Sequence, residues 1–317
     1  MEIRSVIMSH MVRERGVFLI PRWRYMAGVE VSLEKYLLRE MIAGTVFCIL
    51  GDKEKKNMNK LTVALLVFVF ALSACSFTPT GTVTGSGKMV TESFDVQGFD
   101  QIRLGTSGVL YIEQGDGFSL TVEADDNILP VLDAAVEKGV LTLRTTPEVS
   151  MLQFETLIYR VTMPALSSLD ISGSADVRVE DFKADSLSIN INGSGDVTFV
   201  NLDVTSLSVR ISGSGDMILR NVSADTILAE INNSGLMDVA GETEALTVKV
   251  SGSGDLLADA LKASTVEVAV NGSGDVTVWA VDMLDVSISG SGNVQYLGAP
   301  ELTEKISGGG DLTKLGN

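Results

Sequence analysis

The sequence predicts an all-β protein: a parallel β-helix (β-solenoid) of about eight coils with repeats of about 20 residues, opened by an N-terminal β-rich cap containing a short helix. Three observations predict it. One short signature is written eight times at a nearly constant step. Apolar and polar residues alternate on both sides of each copy. The alternation keeps its phase from one unit to the next.

The copies start at Ile171 (ISGSADV), Ile191 (INGSGDV), Ile211 (ISGSGDM), Ile231 (INNSGLM), Val250 (VSGSGDL), Val270 (VNGSGDV), Ile288 (ISGSGNV) and Ile306 (ISGGGDL). Successive steps are 20, 20, 20, 19, 20, 18 and 18 residues. Self-similarity at such a period marks stacked repeats, because a unit this small cannot bury its own apolar face.

In the unit spanning 206–225, Leu207, Val209 and Ile211 alternate with Ser208 and Arg210, which is strand period with one face buried. Ser-Gly-Ser-Gly at 212–215 is a turn signal, with glycines expected to free the backbone for positive φ. Met217 and Leu219 give a second short strand, and residues 221–225 are expected to make the next corner. Neighbouring units repeat the columns: Leu187, Ile189, Ile191; Leu246, Val248, Val250; Val266, Val268, Val270; Leu284, Val286, Ile288. A slip of one residue would turn every inward side chain outward, so the shared phase specifies stacking. A propeller blade needs about twice this period, and hairpins would not demand the same corner at one place in every unit. Strands stacked about 4.8 Å apart make a body on the order of 40 Å long.

Residues 88–165 lack the signature but read as strands at MVTESFDV, FDQIRLGTSGVLYIEQ, FSLTVEA, GVLTLRTT and TLIYRVTMP, with LGTSGV at 104–109 as a degenerate first corner. The run from Asp126 to Val136 predicts the short helix, with Asp125 or Asp126 as N-cap and Pro130 near its first turn. This part is expected to cap the first coil, with the repeats proper over 166–317.

Upstream, residues 58–74 have the layout of a secretory signal: Lys60, an apolar run over 61–72 too short to span a bilayer comfortably, then Leu-Ser-Ala-Cys ending at Cys75. That ending resembles a lipobox, the bacterial lipoprotein processing site, so Cys75 is the expected lipid attachment point and a membrane the expected partner. Residues 1–57, with a different composition and a Met58 following them, read as a mis-called start or an extension. Residues 75–87, rich in Ser, Thr, Gly and Pro, read as a flexible tether.

The charge is uneven. From Cys75 onward there are 13 Lys and Arg against 34 Asp and Glu, a net of −21. Such a surface repels nucleic acid and anionic lipid headgroups, so no nucleic-acid partner is expected. The cysteines are Cys48 and Cys75 alone, too few for a disulfide framework, and the one histidine is His10. Nucleophilic catalysis in the exported part would therefore lack a histidine base.

Several motifs in fixed order resemble a known family: SFDVQGFDQI at 93–102, IEQGD at 112–116, EADDNIL at 123–129, VLTL at 140–143, the GSGD units, and VQYLGAP at 294–300. Over residues 88–315 the chain resembles the bacterial auto-transporter adhesin, head GIN domain family. The resemblance implies a β-helical fold and an envelope location, and it supplies no catalytic or binding residues. Ala175, Asn233, Leu236 and Asn293 depart from the repeat pattern.

The turn aspartates Asp176, Asp196, Asp216, Asp255, Asp275 and Asp311 are expected to form a column, with neighbours about 5 Å apart. A calcium site at Asp196, Asp216, Asp255 and Asp275 is the metal reading weighed; the order G-S-G-D and the period match the calcium-binding β-roll poorly. Paired carboxylates could serve glycoside cleavage, but a catalytic pair is one special pair and this spacing recurs along the body. Asp is also an ordinary turn residue, and that is the reading adopted, with no metal and no cofactor. Trp279 points out by alternation and is the candidate contact for a surface glycan or protein. The expected function is a lipid-anchored, exported, non-enzymatic β-helical head for adhesion or surface binding. The alternatives are a polysaccharide-active enzyme using Asp residues, with Arg178, Arg210 and Arg220 scattered along the coils, and a structural envelope spacer.

Overall fold

The structure is a computed structural model and describes residues 81–316. Cys75, the signal-like segment and residues 1–57 lie outside the described residues. Within them the chain is a parallel β-solenoid of about seven turns.

Six long strands carry most of the stack: Ser174–Ile191, Val197–Ile211, Met217–Ile231, Leu236–Val250, Asp255–Val270 and Val276–Ile288. Each pairs in parallel with the next, almost residue for residue: Leu187 with Leu207, Leu207 with Ile227, Ile227 with Leu246. The phase shared by the repeats in sequence is thus the register of the ladder.

Each of the five long strands from Ser174 to Val270 has three inward runs, one more than the two short strands expected. In Val197–Ile211 the buried residues are Val197 and Phe199, then Leu202 and Val204, then Leu207, Val209 and Ile211. Within a run they alternate. Between runs two consecutive residues face out, and the strand bends there while its ladder continues. The middle run occupies the stretch expected to be a corner: in the next coil Val222 and Ala224 point into the core.

The third corner is the Gly-rich signature, and its glycines do something other than expected. None of them has positive φ. A Cβ on Gly213 would instead collide with the carbonyl oxygen of Gly193, one coil earlier, and Gly193 stands in the same relation to Gly173. Close approach of stacked backbones requires the glycine here. The amide of Ser194 donates to the Gly173 carbonyl (3.1 Å) and that of Ser214 to Gly193 (3.0 Å). Asn233 interrupts the glycine column, and among the described residues its corner lacks the matching bond from Ser234 to Gly213. Ala175 stands opposite Gly108, whose φ of 106° gives it a backbone unlike that of the signature glycines.

The first corner falls where LGTSGV places it: Ser107 and Gly108 pair with Ser174 and Ala175. Two parallel strands, Val140–Thr145 and Ile158–Met163, lie beyond it, and antiparallel ones close the end. Ser119–Asp125 runs antiparallel to Ile158–Met163, and Met89–Phe94 antiparallel to Ser119–Asp125. The expected helix shrinks to a single 3-10 turn, Leu129–Val131. Leu132–Glu137 is a strand, paired antiparallel with Val140–Thr145 through a two-residue turn in which Lys138 (φ 52°) and Gly139 (φ 82°) are both left-handed, as tight hairpins need. Strand pairing overrides the helix propensity of Leu-Asp-Ala-Ala-Val-Glu. The expected N-caps act elsewhere: the buried Asp125 accepts from the Gly87 amide (2.6 Å), and Asp126 from Ser86 Oγ (2.6 Å) and Lys88 Nζ (3.1 Å). Residues 81–84, read as part of the tether, form a strand parallel to Val149–Gln153, with Val83 packed against the core.

On the outer face of the third run, Arg210 donates to Glu230 (2.8 and 2.6 Å) and Lys249 adds a third contact (3.2 Å). These cations hold the Glu230 carboxyl below its ordinary value of 4.5, the Arg210 bond contributing most. A depressed carboxylate stabilises the fold above its unfolded-state pKa and loses that contribution as pH falls through the folded one. Wild type should therefore lose about 0.5–1 kcal/mol below pH 4.5 that Glu230→Gln does not lose. Urea midpoints measured for both proteins across pH check this.

Candidate functional site

The aspartate column exists, and its chemistry is internal to the ladder. Asp176 Oδ1 accepts from the Asp196 amide (3.2 Å), Asp196 from Asp216 (2.8 Å), and Asp216 from Leu236 (2.9 Å). Asp255 accepts from Asp275 (2.8 Å), and Asp275 from Asn293 (2.9 Å). Each carboxylate holds the corner of the next coil. Leu236 has no acceptor to offer, and there the Asp255 amide turns to the Gly235 carbonyl (3.2 Å). Asn293 keeps the role with its amide oxygen, which accepts from Asp311 (3.2 Å). Among the described residues no group of three or more His, Cys, Asp or Glu side chains is arranged to hold a metal ion.

Trp279 is half-buried. Its register partners are Lys262 on one side and Leu297 on the other. It stands there because its coil is short. Ala258 pairs with Val278 and Lys262 with Trp279, so residues 259–261 have no counterparts and the middle run contracts to Ala280.

That contraction ends a groove of about 870 Å³ which runs along the middle runs of the preceding coils. Register places Lys183, Asp203, Ser223, Glu242 and Lys262 in one column. Asp185, Asp225 and Glu244, two residues further along their coils, also line it. Between the two rows lie Val204, Ala224 and Thr243, small and nearly buried. Lys183 is paired with Asp203 (2.9 Å), and that bond raises the lysine pKa above its ordinary value. The Thr243 hydroxyl donates to the Asp225 carbonyl (3.2 Å). The result is an elongated trough with two lysines and five carboxylates, of which four have no ion pair among the described residues. Sequence reading missed it. Its signal is a second column recurring at steps of 20, 20, 19 and 20 residues from Lys183, hidden because its residue types vary from coil to coil. Of the scattered arginines, Arg210 and Arg220 are engaged by Glu230 and Asp238 (2.6 and 2.8 Å), and none of the three lines the groove.

The described residues thus form a capped parallel solenoid with a polar lateral trough. The chain belongs to the family described as "Putative auto-transporter adhesin, head GIN domain", whose model matches residues 98–300. No curated protein matches it. It is similar to a crystal structure of a "putative lipid binding protein" from Parabacteroides distasonis, at 25% identity and a TM-score of 0.70, covering 74% of this chain and 100% of that one. A "putative adhesin" from Parabacteroides merdae matches at 24% identity and a TM-score of 0.69, covering 74% and 99%. Another from Bacteroides fragilis matches at 25% and 0.59, covering 74% and 100%.

Proposed function

We propose that this is an exported, lipid-anchored surface protein that binds through the lateral trough and does not transform what it binds. The observation carrying the reading is the trough itself: a long polar concavity on a rigid parallel scaffold, in a chain of an adhesin-described family. An extended surface polymer, glycan or protein, matches its length, and the unpaired carboxylates and Lys262 offer acceptors and donors to hydroxyls and amides. Anchoring is supported by the Leu-Ser-Ala-Cys ending at Cys75. The description of the Parabacteroides distasonis neighbour as lipid binding fits a molecule that works beside a membrane.

Two measurements test it. In a bacterial host fed labelled palmitate, wild type should carry label and sediment with membranes, whereas Cys75→Ser should carry none; equal labelling would refute anchoring. On glycan arrays and whole cells, the double substitution Asp225→Ala with Glu242→Ala should weaken retention about tenfold, the loss of one or two charge-assisted hydrogen bonds. Unchanged retention would remove the trough from the mechanism.

A further inference from the structure

The two ends of the stack are finished differently. Antiparallel strands close the first. At the other, Glu301–Ile306 pairs only with Val276–Ile288, and Leu312–Gly316 only with Val294–Leu297. Among the described residues nothing pairs with their outer edges, and every residue of Glu301–Ile306 is exposed, Leu302 by 38% and Ile306 by 41%. An open strand edge over an apolar interior is a template for another chain.

One inward column runs the length of the body: Leu141, Ile102, Leu169, Ile189, Val209, Ala229, Val248, Val268, Val286 and then Glu304. The nine apolar members are all at most 1% exposed. The tenth, on the open edge, is a carboxylate between Leu302 and Ile306.

We propose that Glu304 is a built-in stop that prevents the open coil from pairing with the same coil of a second copy. The segment would otherwise be self-complementary. Antiparallel pairing about a two-fold axis at residue 304 sets Leu302 of one copy opposite Ile306 of the other, twice, and so builds an apolar row continuous with the core. In that register the two Glu304 side chains face each other about 5 Å apart, and like charges directly opposite oppose pairing. Joining the ends would also take both carboxylates out of water, and an uncompensated buried charge is strongly unfavourable. The one cation on the strand, Lys305, lies by alternation on the opposite face and cannot answer them.

Sedimentation velocity of the full chain in mild detergent, across a concentration series, tests this. Wild type should sediment as a monomer. Glu304→Val, which completes the apolar column, should dimerise with a dissociation constant lower by about a hundredfold or more, the scale of relieving a like-charge contact. Adding Leu302→Lys to that variant should return it to monomer. A Glu304→Val chain that associates no more than wild type overturns the proposal, as does a dimer that Leu302→Lys leaves intact. Substitution at an exposed edge residue leaves the packed coils untouched, so loss of folding does not confuse the readout.

Discussion

Replacing Phe199 with alanine is expected to lower the unfolding free energy by about 4 kcal/mol. Phe199 is fully buried in the first inward run, between Val179 and Leu219 of the neighbouring coils. Truncation removes its transfer free energy and leaves a void, because the three coils are held in register by hydrogen bonds and cannot collapse to fill it. In a stack, each coil is supported chiefly by its neighbours. Amide exchange should therefore accelerate most in Ser174–Ile191, Val197–Ile211 and Met217–Ile231 and less at Val276–Ile288, four pairings away. Urea unfolding followed by circular dichroism measures the first quantity and native-state hydrogen exchange the second. A midpoint equal to wild type would contradict the three-run core.

Gly213→Ala is the second large effect, at about 3 kcal/mol. The backbone conformation at Gly213 is open to any residue, so dihedral strain contributes nothing. The loss comes from contact alone. The new methyl would meet the Gly193 carbonyl oxygen and stand 2.9 Å from the carbonyl carbon of Asn192, both backbone atoms of the coil below. The corner must spread, and the Ser214–Gly193 hydrogen bond stretches with it. Gly117→Ala is the matched control: nothing lies within 4 Å of its added Cβ and its φ is not positive, so its effect should stay within about 0.5 kcal/mol. Equal melting of the two variants would mean that coil-to-coil approach does not select glycine.

The period, the parallel stacking and the inward residues of the third run were legible because Leu207, Val209 and Ile211 recur in kind and in phase. The middle run was not. Its inward positions are Leu202 and Val204 in one coil, Val222 and Ala224 in the next, then Gly241 and Thr243, so the apolar signal fades where the interior narrows. The helix expected after Asp126 was a local reading defeated by a pairing partner further along the chain. The reason for the glycines was misjudged on similar grounds. A turn motif invites a dihedral explanation, whereas the constraint comes from atoms 20 residues away. The same distance hid the work of the aspartates, whose bonding partners are amides of the following coil. The trough needs all the register at once, including the three unmatched residues 259–261, and no single unit displays it.

The residue-for-residue match between the coils at 197–216 and 217–236 has an evolutionary corollary. A tandem duplication of one such unit meets the same backbone above and below that its parent met, so it adds a storey without redesigning any joint. The stack thereby grows in increments of about 4.8 Å, whereas a gain or loss of a few residues, as in the coil that carries Trp279, reshapes the flank instead of the height.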